Sequence, residues 1–206
     1  MPENKSPKNQ TEQKEFKLHL KLVMPHKNIS RPVKKEDQEK VLAEAREMMI
    51  AMRRIEMNTK TEIFAAAHSQ FRSSDPMRFF VLNPYNQFAQ SALKSQGHNH
   101  TIIVNPVIKN HTKVPVDSSE GCVTFLNQKN TTMQRFHKIT VDYDTFEVDR
   151  DDKGKRIGTK YVSIKSENVS SLLARIFQHE IDHMDAKYIF NFTKGGQKHA
   201  KDKGNN

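Results

Sequence analysis

Residues 170–184, with the sequence SSLLARIFQHEIDHM, decide how the chain is organised. Apolar side chains recur at helical spacing along this stretch, which predicts an α-helix with one face packed into a core. His179 and His183 are four residues apart and therefore project from the same face of that helix, one turn apart. Glu180 follows the first histidine directly. This HExxH pattern is typical of two imidazoles that bind one divalent metal ion beside a carboxylate that accepts a proton from water.

A metal site of this kind needs a third protein ligand, because catalytic zinc sites use three protein ligands and keep one position open. No glutamate follows Glu180, and Ala186 and Ile189 stand where a downstream ligand motif would have glycine and histidine. His199 lies in a lysine-rich tail. The third ligand is therefore expected upstream, and the single cysteine, Cys122, is the candidate because a thiolate is a strong ligand for transition metals. Alone, such a cysteine is more often an inert buried thiol.

Hydrophobic periodicity predicts the remaining elements. Alternation over Phe16–Met24 predicts a strand, and apolar residues spaced by three and four predict an amphipathic helix from about Lys35 to Met57, whose methionines pack in the core. Further strands are expected at Arg78–Leu82 and Thr101–Val104, and a hairpin is expected from Lys138–Val148 and Arg156–Ile164 around a turn at Asp152–Gly154. Tyr85–His100 has no period and is expected to be a loop. The fold class that follows is α+β, with antiparallel or mixed sheets around a C-terminal metal-binding helix.

Length and charge suggest one domain with polar tails. The chain has 206 residues, which suits a single domain. Residues 1–15 have no hydrophobic period and are expected to be disordered, residues 16–193 form the domain, and residues 194–206 form a basic flexible tail. We expect no signal or transit peptide, no membrane span and no DNA binding, and hence a cytoplasmic protein. The net charge of +10 fits either a polyanionic partner or simple solubility.

Two specific motifs in this sequence resemble those of peptide deformylases. Residues 120–124, EGCVT, resemble the EGCLS motif of the family, and residues 178–183, QHEIDH, match its QHExDH motif. Residues 104–108 and 172–175 resemble the NPxI and LLAR segments of the family. The resemblance extends from about residue 22 to residue 193. It implies a metal-dependent hydrolase that removes the formyl group from N-formylmethionyl nascent peptides and releases formate.

The resemblance also implies a role for each residue of the site. The metal ligands would be Cys122, His179 and His183. Glu180 would take a proton from water and pass it to the leaving amine, and the backbone N–H of Val123 would stabilise the oxyanion. Glu120 and Asp182 are expected to hold a loop or to orient a histidine. A Cys/His/His site favours zinc or iron, and the family implies Fe²⁺, replaceable by Zn²⁺, Ni²⁺ or Co²⁺.

A third motif of the family, GxGxAAxQ, is degraded in this chain. Residues 63–70 read IFAAAHSQ and contain no glycine. If Ala65 and Ala66 match the alanine pair, His68 takes the place of the glutamine; if Gln70 is the glutamine, His68 replaces an alanine. Either side chain could be the oxyanion donor, and in an extended segment only one of them can be optimally placed. We favour Gln70, because an amide donates at every pH.

Two alternatives to an active deformylase remain open at this stage. The first is a catalytically weak relative that keeps its metal ion for stability and binds peptide or ribosome. The second, an unrelated HExxH protease, is disfavoured by the lack of a downstream ligand. The family works on nascent chains, so the resemblance implies contact with the ribosome through the basic surface and the C-terminal lysines.

Overall fold

The computed structural model describes residues 21–126, 128–190, 192–193 and 196–197. A five-stranded antiparallel sheet with the strand order β1-β2-β3-β6-β7 forms its centre. The strands of this sheet are β1 (Ala65–Ala67), β2 (Phe79–Leu82), β3 (Ile102–His111), β6 (Lys138–Arg150) and β7 (Arg156–Ser170). Two smaller antiparallel pairs are β4 (Pro115–Glu120) with β5 (Thr131–Phe136), and β8 (Phe192–Thr193) with β9 (Gly196–Gln197). The helices are α1 (Gln38–Thr59), α2 (Gln87–Ser95) and α3 (Ser171–Met184).

The central sheet is apolar on both faces, and a helix covers each face. Phe80, Leu82 and Ile103 pack with α3, whereas their neighbours in sequence, Phe79 and Val81, pack with α1. This division follows from the two-residue period of a strand, which sends successive side chains to opposite faces. The result is the predicted α+β fold with an N-terminal amphipathic helix and a C-terminal metal-site helix.

The metal-site helix α3 is held by burial and by its C-terminal cap. Phe177 is 1% exposed and makes an edge-to-face contact with Phe80 at 5.0 Å between ring centroids. After the last turn, the N–H of Ala186 donates to the His183 carbonyl and the N–H of Lys187 donates to the Asp182 carbonyl. These are the two bonds of a Schellman cap. Ala186 has φ +56°, in the left-handed region where glycine is the usual residue, so the cap carries some backbone strain.

Several sequence expectations require correction. Tyr85–His100 is not all loop, because α2 begins after Asn86, whose side chain caps the N–H groups of Phe88 and Ala89. Leu93 anchors this helix in the core at 3% exposure. The helix was missed because it has only two turns and a short apolar face. Residues 68–70 form a 3₁₀ turn, so the extended segment assumed for IFAAAHSQ ends at Ala67.

Other element predictions are confirmed or only shifted at their ends. The helix expected at Lys35–Met57 is preceded by a 3₁₀ turn at Lys35–Asp37 and runs to Thr59. The hairpin around Asp152–Gly154 is present, and its second arm continues to Ser170. The strand predicted at Phe16–Met24 is wrong for residues 21–24, which have no regular secondary structure; residues 16–20 lie outside the described residues.

The tails at 1–15 and 194–206 fall outside the described residues, apart from the short strand at 196–197, and their disorder stays a prediction. Within the described part of the chain, no helix is both long and apolar enough to cross a membrane.

Candidate metal centre

Three ligand atoms from two parts of the chain converge at the C-terminal half of α3. The Nε2 atoms of His179 and His183 lie 3.0 Å apart, and the Sγ of Cys122 lies 3.2 Å from the Nε2 of His183. All three ligand atoms are within 4.8 Å of one another. The two histidines meet because they are one helical turn apart. Cys122 reaches them from the loop after β4, and the residue is only 9% exposed.

This cluster fits a divalent transition metal ion. Metal–nitrogen and metal–sulfur bonds are about 2.0–2.3 Å long, so two ligand atoms on one ion must approach each other to roughly the separations seen here. One thiolate and two imidazoles are ligands that zinc and iron accept. Burial lowers the pKa of His183 well below its usual value, so this imidazole is neutral, as a ligand must be. The three predicted ligands are therefore positioned for one ion.

A buried carboxylate orients the first histidine. Glu120, the last residue of β4, receives a hydrogen bond from the Nδ1 of His179 at 2.9 Å, which leaves Nε2 as the ligand atom. The guanidinium of Arg135 on β5 donates to both oxygens of Glu120, at 2.8 and 2.9 Å, and to Asp182 at 2.6 Å. Burial alone would raise the pKa of Glu120, but the hydrogen bonds from His179 and Arg135 outweigh it and lower the pKa to about 2. Glu120 therefore stays ionised.

Glu180 is the other carboxylate of the centre, and its environment is different. The side chain is 4% exposed, and its Oε2 has no hydrogen-bond partner among the described residues. Burial raises the pKa of Glu180 to about 7. A carboxyl group with a pKa near neutrality can both accept and donate a proton, which is what general acid–base catalysis requires.

The degraded motif places its two candidate donors on opposite sides of the 3₁₀ turn at residues 68–70. The Oε1 of Gln70 accepts the N–H of Ala67 at 2.8 Å, which fixes the orientation of the amide. Its Nε2 then lies 3.6 Å from the Sγ of Cys122 and 2.8 Å from the Oγ1 of Thr124. The structure thus brings Gln70 to the metal centre.

His68 points away from the centre, towards α1. Its Nε2 contacts Glu44 of α1, its Nδ1 accepts the N–H of Met77 at 2.8 Å, and its ring stacks on Phe79 at 4.7 Å. The ring is completely buried. Both ring nitrogens are therefore engaged, and the structure does not bring His68 together with the metal ligands.

A cavity of about 320 Å³ opens beside the centre. It is lined by Gln70, Cys122, His179 and Glu180 at one end and by apolar side chains, among them Phe64, Leu172 and Ile176. Val123, the proposed oxyanion residue, also lines it and begins the 3₁₀ turn Val123–Phe125. The first N–H groups of a helical turn lack partners within the turn and can donate to a ligand.

Sequence reasoning missed two residues that position the centre. Arg135 joins Glu120 to Asp182, and Gln178 exchanges two hydrogen bonds with the backbone of Phe136, at 2.9 and 2.8 Å. Both side chains tie α3 to β5. Gln178 lies inside the recognised QHEIDH motif. Nothing in the local sequence indicates that Arg135 contacts Glu120, because that contact depends on the pairing of β4 with β5.

Comparisons with known proteins agree on one family. The family model described as polypeptide deformylase matches residues 24–199. A peptide deformylase of Orientia tsutsugamushi (strain Boryong) is 29% identical over 98 residues, which cover 48% of this chain and 46% of the relative. One from Thermus thermophilus is 28% identical over 89 residues, covering 43% of this chain and 38% of the relative. The chain thus aligns with less than half the length of these relatives.

Solved structures show the same fold at low sequence identity. The peptide deformylase of Thermotoga maritima superposes with a TM-score of 0.57 at 22% identity, covering 82% of this chain and 94% of the other. A plant peptide deformylase superposes with a TM-score of 0.55 at 23% identity, covering 84% of this chain and 80% of the other.

The convergence of the three ligand atoms predicts which substitutions release the metal ion. We expect Cys122→Ala, His179→Ala and His183→Ala each to lose most bound metal, because two protein ligands form too weak a site. Glu180→Ala should retain stoichiometric metal, as should His111→Ala, a control that removes an exposed histidine that is not part of the cluster. Metal analysis of the purified proteins measures this. Full retention of metal in all three ligand variants would contradict the assignment.

Proposed function

The chain belongs to the peptide deformylase family, and on this premise we propose that it hydrolyses the formyl group of N-formylmethionyl peptides. The reaction adds water across the formamide and yields formate and a free amino terminus. The observation that carries this proposal is that three features meet at one cavity. They are the cluster of Cys122, His179 and His183, the buried carboxylate of Glu180 and the amide of Gln70. Hydrolysis of a small amide needs these three parts: a metal ion, a proton acceptor and an oxyanion donor.

The metal ion would be bound by Cys122, His179 and His183. When bound, it supplies Lewis acidity, which acidifies water and polarises a carbonyl oxygen. We propose Fe²⁺ as the working ion, with Zn²⁺, Ni²⁺ or Co²⁺ as substitutes, because a thiolate with two imidazoles suits these borderline ions. Glu120 and Arg135 would keep the Nε2 of His179 directed at the ion.

Glu180 would transfer the proton in this reaction. The carboxylate would accept a proton from the attacking water and deliver it to the amine nitrogen as the C–N bond breaks. The pKa of about 7 supports both steps. The Nε2 of Gln70 and the N–H of Val123 would donate to the formyl oxygen as negative charge develops on it. β1, an edge strand whose Ala65 lines the cavity, offers backbone groups to an extended peptide.

The alternative of a catalytically weak relative is not favoured. A protein that bound its metal ion only for stability would gain nothing from a buried carboxylate such as Glu180, whose Oε2 has no hydrogen-bond partner within the described part of the chain, since such a group is costly to bury. Glu180 therefore favours the active enzyme.

The activity has a direct test. We expect metal-loaded protein, prepared without oxygen, to release formate from formyl-Met-Ala-Ser. Glu180→Ala should bind metal and lose at least a hundredfold in kcat, because general acid–base catalysis typically contributes 10²–10⁴-fold. An absence of formate from the wild-type protein, or near wild-type turnover by Glu180→Ala, would refute the proposal.

The two candidate oxyanion donors should behave differently on substitution. Gln70→Ala is expected to lower kcat at least tenfold, because losing one oxyanion donor typically costs about 10²–10³ in rate. His68→Ala should instead lower the thermal midpoint, because it leaves the buried N–H of Met77 without its acceptor. Measurements of kcat and thermal unfolding on both variants separate the roles. A larger loss of kcat in His68→Ala would move the donor role to His68.

We also propose that the protein contacts the ribosome, which would suit a cytoplasmic enzyme acting on nascent chains. The support is the net charge of +10 and the lysines within residues 194–206, which lie outside the described residues. Deleting residues 195–206 should weaken co-sedimentation with ribosomes and flatten its dependence on salt, because fewer phosphate contacts release fewer counterions. Co-sedimentation that does not change across a salt series would assign the charge to solubility.

A further inference from the structure

The segment before α1 crosses the turn that carries Gln70. Residues 21–30 have no regular secondary structure, and we call them the N-terminal strap. Near its start, the N–H of Val23 donates to the Gln70 carbonyl at 2.8 Å. At its end, the N–H of Ser30 donates at 2.7 Å to the carbonyl of Met184, the last residue of α3. The strap therefore joins the turn at residues 68–70 to the end of the metal-site helix.

His26 makes the central contact between the strap and this turn. Its Nε2 lies 2.9 Å from the carbonyl oxygen of Ser69, and its Nδ1 lies 3.2 Å from the backbone nitrogen of Asn28. A backbone N–H can only donate, so Nδ1 is the acceptor and the ring carries its proton on Nε2. The imidazole of His26 therefore donates a hydrogen bond to the Ser69 carbonyl.

The strap supplies donors to carbonyl groups that a helical turn leaves open. The last carbonyl groups of such a turn have no partner within it. In the 3₁₀ turn at residues 68–70, the His68 carbonyl accepts the N–H of Phe71 at 2.9 Å. The next two carbonyl groups, those of Ser69 and Gln70, accept their hydrogen bonds from the strap. The strap thus completes the hydrogen bonding of the turn.

The orientation of the Gln70 amide depends on this turn. The Oε1 of Gln70 accepts the N–H of Ala67, which directs its Nε2 towards the Sγ of Cys122. The Oγ of Ser69 donates to the carbonyl of His183 at 3.2 Å, so the turn is held from the side of α3 as well. An oxyanion donor must lie about 2.7–3.1 Å from the developing charge, so a small rotation of the turn would remove it from reach.

We propose that His26 is a positioning residue for the hydrolysis. Through the carbonyl of Ser69 it holds the 3₁₀ turn in the orientation that directs the Gln70 amide at the formyl oxygen. The inference rests on the proposed function in one respect, which is that Gln70 is an oxyanion donor. His26 is not among the described residues that line the cavity, so its effect on the reaction passes through the turn.

Two substitutions of His26 separate its donor from the rest of the ring. His26→Asn keeps an acceptor for the N–H of Asn28, because an asparagine side chain bonds the backbone two residues on, but its amide is too short to reach Ser69. His26→Gln carries an amide donor one methylene further out, near the place of Nε2. Asn28→Ala is the matched control, because it removes a hydrogen bond from the strap to the Ser73 carbonyl, beyond the turn.

The position of the Gln70 amide can be measured without turnover. We expect ¹⁵N relaxation of its side-chain NH₂ group, recorded on Zn²⁺-loaded protein and assigned by its loss in Gln70→Ala, to show a rigid amide in the wild type, in His26→Gln and in Asn28→Ala. In His26→Asn the amide should become mobile on the ps–ns timescale, because the turn has lost a hydrogen bond. An amide that is equally rigid in His26→Asn overturns the inference, whether or not the protein releases formate.

Kinetics with formyl-Met-Ala-Ser distinguish positioning from a general structural role. His26→Asn should lower kcat about fivefold with KM and metal content unchanged, because one neutral hydrogen bond has that order of effect, and His26→Gln should restore kcat. In a Gln70→Ala background the same substitution should change kcat less than twofold, since its effect passes through Gln70. A fivefold loss that persists in that background overturns the inference. Absence of formate release by the wild type would instead count against the proposed function, and the relaxation measurement still decides whether His26 holds the amide.

Discussion

The buried carboxylate of Glu120 is the interaction on which the metal centre depends. It joins three elements. Glu120 is the last residue of β4, and its carboxylate accepts hydrogen bonds from the guanidinium of Arg135 on β5 and from the Nδ1 of His179 on α3. A buried ionised carboxylate is stable only when its oxygens are fully hydrogen-bonded. Glu120 meets this condition, and as a result the ring of His179 has one orientation. The loop that follows Glu120 carries Cys122, so the same anchor sets the position of the cysteine sulfur.

The two carboxylates of the centre are differentiated by their surroundings. The Arg135 guanidinium and the His179 imidazole lie against Glu120 and hold its pKa at about 2, whereas burial raises the pKa of Glu180 to about 7. One group therefore remains an anion that orients a ligand, and the other can exchange a proton. This separation of pKa values is what assigns a structural role to the first and an acid–base role to the second.

The segment between β1 and β2 shows how a backbone turn assigns side chains to different layers. An extended chain would send His68 and Gln70 to the same face, but the 3₁₀ turn sends His68 to α1 and Gln70 to Cys122. His68 then fills a buried polar position between Glu44 and Met77, which explains why a histidine can occupy this place without contacting the metal ligands. The loss of glycine from this motif is accommodated by alanines that are buried in the sheet.

The sequence by itself determined the helix of residues 171–184, the pairing of His179 with His183 and the need for an upstream ligand, because helical spacing and metal coordination are local or compositional constraints. It also indicated Cys122, since the chain has no other cysteine. Only the tertiary structure decided that Arg135 meets Glu120, that Gln70 rather than His68 reaches the centre, and that Arg175 faces Ser118. The reason is physical: each of these contacts joins residues from different elements, and their separation depends on strand pairing, on the turn at residues 68–70 and on how α3 packs against the sheets.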